Sequence, residues 1–260
     1  MCGWRFTVMM SYTGKRRGPS KFQRIIDGTS RSLSPIGARN GIPRWTGVVC
    51  NCFLQSTGEI TTRRSGAGFE TTATTLMWWI LAMVAFPEVQ SRAQAELDAV
   101  VGRGRLPTFS DAPRLPYVRA VAREVIRWRP AARLGTPHTI AEDDWYEGMF
   151  IPKGSVCRPN IWQCNRDRTI FGDDADDFKP ERHLGDNGEL LPGPKETSQE
   201  GHASFGFGRR VCVGKHLANN SLFILTARIL WAANLRCMED KKGMERLLDT
   251  NAFVEAGSIR

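Results

Sequence analysis

The fold is decided by the stretch FGFGRRVCVG, residues 205–214, which stands directly before the last predicted helix. A cysteine close to a helix N-terminus lies near the positive end of the helix dipole, so Cys212 is expected to favour the thiolate. The glycines of the stretch let the backbone approach a large flat group. Arg210 offers a planar fork for a carboxylate or phosphate, and Phe205 is placed to shield the sulfur from water.

Two other interpretations of this stretch stay open on the residues alone. Cys212 could be a buried structural cysteine, which is the usual fate of a lone cysteine. The glycines could form a phosphate loop, but the Lys-Ser/Thr ending of a P-loop is absent.

The same ten residues match, at every fixed position, the pattern Phe-x-x-Gly-x-Arg-x-Cys-x-Gly, and the chain therefore resembles the cytochrome P450 family. The resemblance implies haem b, iron protoporphyrin IX, as the cofactor, with Cys212 as the axial thiolate ligand of the metal. It further implies that Arg210 binds a haem propionate and that Phe205, Gly208 and Gly214 line the cofactor. A thiolate ligand donates electron density to iron and favours O–O cleavage.

A second motif, Glu124-x-x-Arg127, lies on a helix predicted to begin at Pro116. The spacing of three places both side chains on one face, where they can form an ion pair. On its own, such a pair is a common surface salt bridge. In the family that the chain resembles, the pair joins an arginine from a Phe-x-Pro-Glu-Arg segment, which here ends at Arg182. The resemblance implies a structural ion cluster of these three residues beneath the haem loop, because buried charges must be fully paired.

A third motif, AGFETT at residues 67–72, opens a long apolar helix. An acid beside a hydroxyl is suited to relay protons where a helix ladder opens to water. On the residues alone, the favoured interpretation is a helix start at which Glu70 and Thr71 only cap the helix and offset its dipole. The segment resembles the oxygen-activation motif of the family, which implies that Glu70 and Thr71 are catalytic and deliver protons.

The histidines give weaker signals. His138 follows Pro137 at the start of a β-like region, and the resemblance implies that His138 touches a haem propionate. A lone histidine is more often a surface or satisfied polar residue. His183 and His202 are interpreted as exposed loop residues, and the acidic run at residues 173–177 as a solvated loop.

Hydrophobic patterning predicts a mainly α protein with small β segments, the C-terminal, haem-proximal half of the family's fold. Helices are expected over residues 76–85, after Pro87, from Pro116 until Pro130, and over residues 215–233. The last helix is expected to bury Leu217, Leu222, Leu225, Ile229 and Leu230. A β hairpin is expected around Gly148, and a long polar loop over residues 163–201.

Composition limits the classes of function. The chain has 260 residues, of which 41% are hydrophobic and 24% charged, as in ordinary globular proteins. The net charge of +9 resides in residues 1–64, with 11 Lys+Arg and 2 Asp+Glu, whereas residues 65–260 hold 25 of each. No folded basic face results, so no nucleic-acid partner is expected. Seven cysteines without repeated spacing indicate a reducing compartment rather than a disulfide framework.

Two regions of different character are expected. Residues 1–64 are predicted to be a basic segment of low order that is unlike the family, either a tail or sequence that is not native coding. Residues 65–260 are predicted to form a partial P450 domain, similar to fungal microsomal members. Neither a signal peptide nor a transmembrane segment is evident. The chain itself is therefore expected in the cytoplasm, and its full-length parent at the endoplasmic reticulum membrane.

The resemblance implies a monooxygenase that inserts one oxygen atom of O2 into a small apolar organic substrate. Electrons are expected from an NADPH-dependent reductase, because no flavin or nicotinamide motif is present. One alternative is a truncated, inactive fragment with weak or no haem binding, since the distal half of the fold is not covered. Another is a basic nucleic-acid-binding protein, which rests only on the N-terminal charge. The sequence does not name the substrate.

Overall fold

The computed structural model describes residues 9–11 and 62–237. Its first elements are strand β1, Met9–Ser11, helix α1, Thr62–Ala85, and helix α2, Pro87–Val100. The two helices meet at a bend of 101°. The bend arises because Phe86 leaves helical geometry, with φ −125° and ψ 72°, and Pro87 restarts the helix at its first position. The apolar part of α1 is buried, as predicted, at Leu76, Trp79, Ala82 and Met83.

Helix α3, Pro116–Trp128, packs against both preceding helices. It begins at the predicted Pro116 and ends at Trp128, two residues before the predicted Pro130. Its predicted apolar face is fully buried at Val118, Val121 and Val125. Glu96 of α2 caps its N-terminus, because the two carboxylate oxygens accept hydrogen bonds from the amides of Tyr117 and Val118, each at 2.9 Å. Because this cap comes from another helix, local sequence patterns do not predict it.

Four short strands follow α3 and form two antiparallel pairs. Strand β2, His138–Thr139, pairs with β5, Val156–Cys157, while β3, Asp144–Tyr146, pairs with β4, Met149–Ile151. The second pair is the predicted hairpin around Gly148, and that prediction is confirmed.

Residues 161–201 contain more regular structure than the single polar loop that was predicted. Helices α4, Ile161–Cys164, and α5, Arg168–Phe171, are followed by three-ten turns at Pro180–His183 and Lys195–Thr197. Asn160 and Asp167 cap the two short helices with their side chains. The prediction of one long loop was wrong because polar caps, rather than an apolar period, hold these turns.

The last long helix is α6, Lys215–Ala232, and strand β6, Asn234–Arg236, follows it and pairs antiparallel with β1. Leu222 and Leu230 are buried as predicted, whereas Leu225 and Ile229 are partly buried. Leu217 is 58% exposed, so its assignment to the core was wrong. The reason is its place in the first turn of α6, beside the exposed residues Cys212 and Val213.

Most of the predicted N-terminal segment, residues 1–64, lies outside the described residues, and its boundary stays a prediction. Among the described helices, none is by itself long and apolar enough to cross a bilayer. The bent pair formed by the end of α1 and by α2 passes that test only when the two helices are taken together.

Candidate functional site

The cysteine loop, residues 203–214, leads into α6. Gly206 and Gly208 adopt φ values of 68° and 61°, the left-handed region that favours glycine. The loop closes on itself, because the amide of Cys212 donates a hydrogen bond to the carbonyl of Phe205 at 2.8 Å. Cys212 is exposed and lies three residues before Lys215, the first residue of α6. The thiol therefore stands just before the free backbone amides of the N-terminus of α6.

Phe205 connects the cysteine loop to the core. Its ring packs against the main hydrophobic cluster and meets the ring of His202 edge-on, with centroids 4.9 Å apart. His202 is buried, and this burial lowers its pKa to about 3, so the imidazole is neutral. The interpretation of His202 as an exposed residue was wrong, because its Nδ1 accepts a hydrogen bond from the amide of Ser204 at 3.2 Å and its ring packs on Phe205.

Glu124 is the centre of a buried ion cluster with Arg127, Arg182 and His183. Its Oε1 accepts hydrogen bonds from Arg127 Nη2 at 2.7 Å, from Arg182 Nε at 3.0 Å and from the amide of Lys179 at 3.0 Å. Its Oε2 accepts from Arg127 Nε and from His183 Nε2, both at 2.8 Å. Each oxygen therefore has several donors, which is what a buried carboxylate requires.

The two arginines of the ion cluster also donate hydrogen bonds to residues 173–177, the segment that was interpreted as a solvated acidic loop. Arg127 donates to the carbonyls of Asn165, Ala175 and Asp177 at 2.6–2.7 Å. Arg182 donates to the carbonyl of Asp174 at 2.8 Å and to its carboxylate at 3.1 Å. The interpretation as a solvated loop was wrong, because the backbone of this segment completes the hydrogen bonding of the buried guanidinium groups.

The protonation of the cluster follows from its contacts. Burial alone would raise the pKa of Glu124, but the hydrogen bonds from Arg127 and His183 outweigh it and hold the pKa at about 2. Burial lowers the pKa of His183, so its imidazole is neutral and donates Nε2–H to the carboxylate, which only accepts. The interpretation of His183 as exposed was wrong, since it is enclosed within this cluster.

Two further buried arginines, which the sequence motifs did not single out, lie at the end of α3. Arg166 stacks over the ring of Trp162 at 3.4 Å and donates to the carbonyl of Trp128 at 2.7 Å. Arg129 stacks over the ring of Trp128 at 3.8 Å. Burial, aided by repulsion from neighbouring arginines, lowers the pKa of each to about 10, so both remain charged at neutral pH.

The predicted catalytic pair lies on α1. Glu70 and Thr71 are exposed and are the ninth and tenth residues of a continuous helix that begins at Thr62, so neither caps its start. The hydroxyls of Thr72 and Thr75 donate to the carbonyls four residues earlier, each at 2.9 Å. Hydroxyls bonded in this way tend to bend a helix, but α1 has no break at this point.

The predicted propionate ligands are on separate elements. His138 is exposed on β2, and Arg210 is exposed in the cysteine loop. Within residues 62–237, neither side chain forms an ion pair. Both side chains are thus exposed to solvent.

The surroundings of Cys212 fit a large flat cofactor with a thiolate ligand. A Cβ atom at Gly206 or Gly208 would meet no atom within 4 Å, so the backbone there borders open space. The apolar side chains of Phe207, Val213 and Leu217 lie near the thiol in sequence and are exposed. Cysteine sulfur is a soft ligand that suits iron.

Comparisons with known proteins place the chain in a family. The family model described as Cytochrome P450 matches residues 59–254. A cytochrome P450 monooxygenase of Armillaria gallica is 52% identical over 193 residues, which are 74% of this chain and 37% of the relative. Cytochrome P450 monooxygenase 253 of Postia placenta is 47% identical over 194 residues, 75% of this chain and 36% of the relative. A zebra fish cytochrome P450 structure with abiraterone is 39% identical, covers 66% of this chain and 39% of that chain, and has a TM-score of 0.57.

The chain belongs to the cytochrome P450 family, and the predictions of this family and of its mainly α fold are confirmed. The family's cofactor is haem iron. The chain spans less than two fifths of the length of the two curated relatives described above, at 37% and 36%.

Proposed function

We propose that this chain forms the haem-proximal part of a monooxygenase that inserts one oxygen atom of O2 into a small apolar organic substrate. The observation that carries the proposal is the exposed thiol of Cys212, which stands at the N-terminus of α6 in a loop closed by its own backbone. Identity of 47–52% to proteins named cytochrome P450 monooxygenases supports the same activity.

In this proposal the chain's own residues bind and orient the cofactor. Cys212 supplies the thiolate ligand of haem b, and Phe205 shields the sulfur from water on the core side. Gly208 and Gly214 keep side chains out of the space that the macrocycle needs, and a Cβ at Gly214 would lie 3.8 Å from the sulfur. When bound, a thiolate-ligated haem supplies activation of O2. Arg210 holds one propionate, and His138 touches another.

Proton supply is assigned to α1. Glu70 carries an exposed carboxyl group next to the exposed hydroxyl-bearing Thr71, so a proton can pass from solvent through this pair. Exposure on both residues supports rapid exchange of protons with water. Their position on an uninterrupted helix gives them a fixed spacing.

The partners are proposed from the family. The proposed electron donor is an NADPH-dependent reductase, since P450 monooxygenases generally use a redox partner. The substrate is a small apolar organic molecule, and the longer parent protein resides at the endoplasmic reticulum membrane. The substrate class is proposed from the family, and the location from the similarity to fungal microsomal members.

A carbon monoxide spectrum tests the function. The whole chain is produced with haem available, reduced and exposed to CO. The expected result is the red-shifted absorption band of a thiolate-ligated haem, lost in Cys212→Ala and kept in Cys157→Ala, a matched variant of an exposed cysteine on β5. If the unaltered chain gives no haem band, or gives the band of a haem without a thiolate, the proposal fails and the chain is an inactive fragment.

A further inference from the structure

We propose that Asn165 is a positioning residue that fixes the start of the cysteine loop to the end of α3. The place it has in the reaction rests on the proposed function, because the loop carries the thiolate of Cys212. Its effect on the loop itself does not depend on haem.

The side chain of Asn165 is fully buried and uses both of its polar atoms. Its Nδ2 donates to the carbonyl of Arg127 and to the hydroxyl oxygen of Ser204, both at 3.0 Å. Its Oδ1 accepts from the amide of Ala203 at 2.7 Å. One side chain therefore joins the last turn of α3 to the first two residues of the cysteine loop.

The end of α3 needs such partners. The last four carbonyl groups of a helix have no amide donor within the helix, so they must accept hydrogen bonds from other groups. Ser204 Oγ donates to the carbonyl of Ile126 at 3.0 Å, and Asn165 Nδ2 donates to the carbonyl of Arg127. Arg166 Nη2 donates to the carbonyl of Trp128. The start of the cysteine loop is therefore part of the C-terminal cap of α3.

The constraint continues from Ala203 to the sulfur-bearing residue. The amide of Gly206 donates to the carbonyl of Ala203 at 2.9 Å, and the amide of Cys212 donates to the carbonyl of Phe205 at 2.8 Å. Fixing residues 203–205 thus fixes the acceptors that close the loop around Cys212.

The ion cluster holds Asn165 in turn. Arg127 Nη1 donates to the backbone carbonyl of Asn165 at 2.7 Å, while the side chain of Asn165 returns a hydrogen bond to the carbonyl of Arg127. This reciprocal pair couples the buried charges around Glu124 to the cysteine loop through one residue. Asparagine suits the place because it both donates and accepts, whereas leucine of similar size does neither.

Hydrogen exchange on the whole chain without haem tests the proposal. In Asn165→Leu, the amides of Gly206 and Cys212 are expected to exchange at least tenfold faster, while those of α2 keep their rates. Ser204→Ala, a smaller change, is expected to act in the same direction and serves if Asn165→Leu does not fold. Asn187→Leu is the matched control, because it is the same substitution at an exposed asparagine.

The proposal is overturned if the loop amides are unprotected in the unaltered chain, or if both test variants leave their rates unchanged. It is also overturned if α2 and the loop lose protection equally in both, since this would be a merely structural effect. In the haem-loaded chain, Asn165→Leu is expected to lower the thiolate-ligated share of the CO complex. A chain that binds no haem would sink the proposed function but not the exchange result.

Discussion

Replacing Glu124 by glutamine removes one charge from the ion cluster while keeping the shape of the side chain. The new amide group would face donors on Arg127, Arg182 and His183, and the two buried guanidinium groups would lose their carboxylate. Removing one partner of a buried ion pair costs about 3–5 kcal/mol. That is a large part of the roughly 5–15 kcal/mol by which a domain is stable.

Urea unfolding followed by circular dichroism measures this loss. With a denaturant dependence of about 2 kcal/mol per molar urea, Glu124→Gln is expected to lower the midpoint by about 1.5–2.5 M. Glu142→Gln is the matched control, since Glu142 is exposed, and is expected to change the free energy of unfolding by less than about 0.5 kcal/mol. If Glu124→Gln lowers the free energy of unfolding by less than about 1 kcal/mol, the ion cluster does not stabilise the fold as argued.

Two further perturbations give graded effects on stability. The folded pKa of His202, about 3, lies below the unfolded value, so its stabilisation is present above about pH 6.5 and is lost as pH falls. Between pH 7.5 and 5.5, this group is expected to lower the free energy of unfolding by about 1.4 kcal/mol, measured from urea midpoints. His202→Asn is expected to remove this pH dependence. If the dependence of stability on pH is the same in His202→Asn, the assignment is contradicted. Gly201→Ala puts a Cβ 2.6 Å from Arg123 Cδ, whereas Gly188→Ala, at nearly the same φ (79° and 77°), meets nothing within 4 Å. In the same urea assay, Gly201→Ala is expected to be less stable than Gly188→Ala by roughly 1–3 kcal/mol. If the two variants lose the same free energy of unfolding, the steric clash is absent.

Local patterns predicted the parts of the fold whose cause is local. Pro87 and Pro116 start helices because their fixed φ suits a first turn, and both helices begin there. The cysteine loop was found from ten consecutive residues, and α6 begins directly after it. A two-residue turn around Gly148 likewise needs only neighbouring residues to form a hairpin.

What the sequence could not show depends on contacts between distant residues. His183 lies 59 residues from Glu124, and nothing near it in the chain indicates that its ring closes the ion cluster. Asn165 is polar and follows a one-turn helix, so its full burial appears only when α3 and the cysteine loop meet around it. Leu217 was predicted to be buried but is exposed. A helical period identifies the apolar face of a helix, but it does not show which turns of that face contact the core.

Thiolate ligation by Cys212 is tested most directly by X-ray absorption at the iron edge of the haem-loaded chain. One sulfur atom is expected in the first coordination shell of the iron in the unaltered chain and in Cys157→Ala, and none in Cys212→Ala. A first shell without sulfur in the unaltered chain, or a sulfur that persists in Cys212→Ala, would contradict the assignment of this residue as the iron ligand.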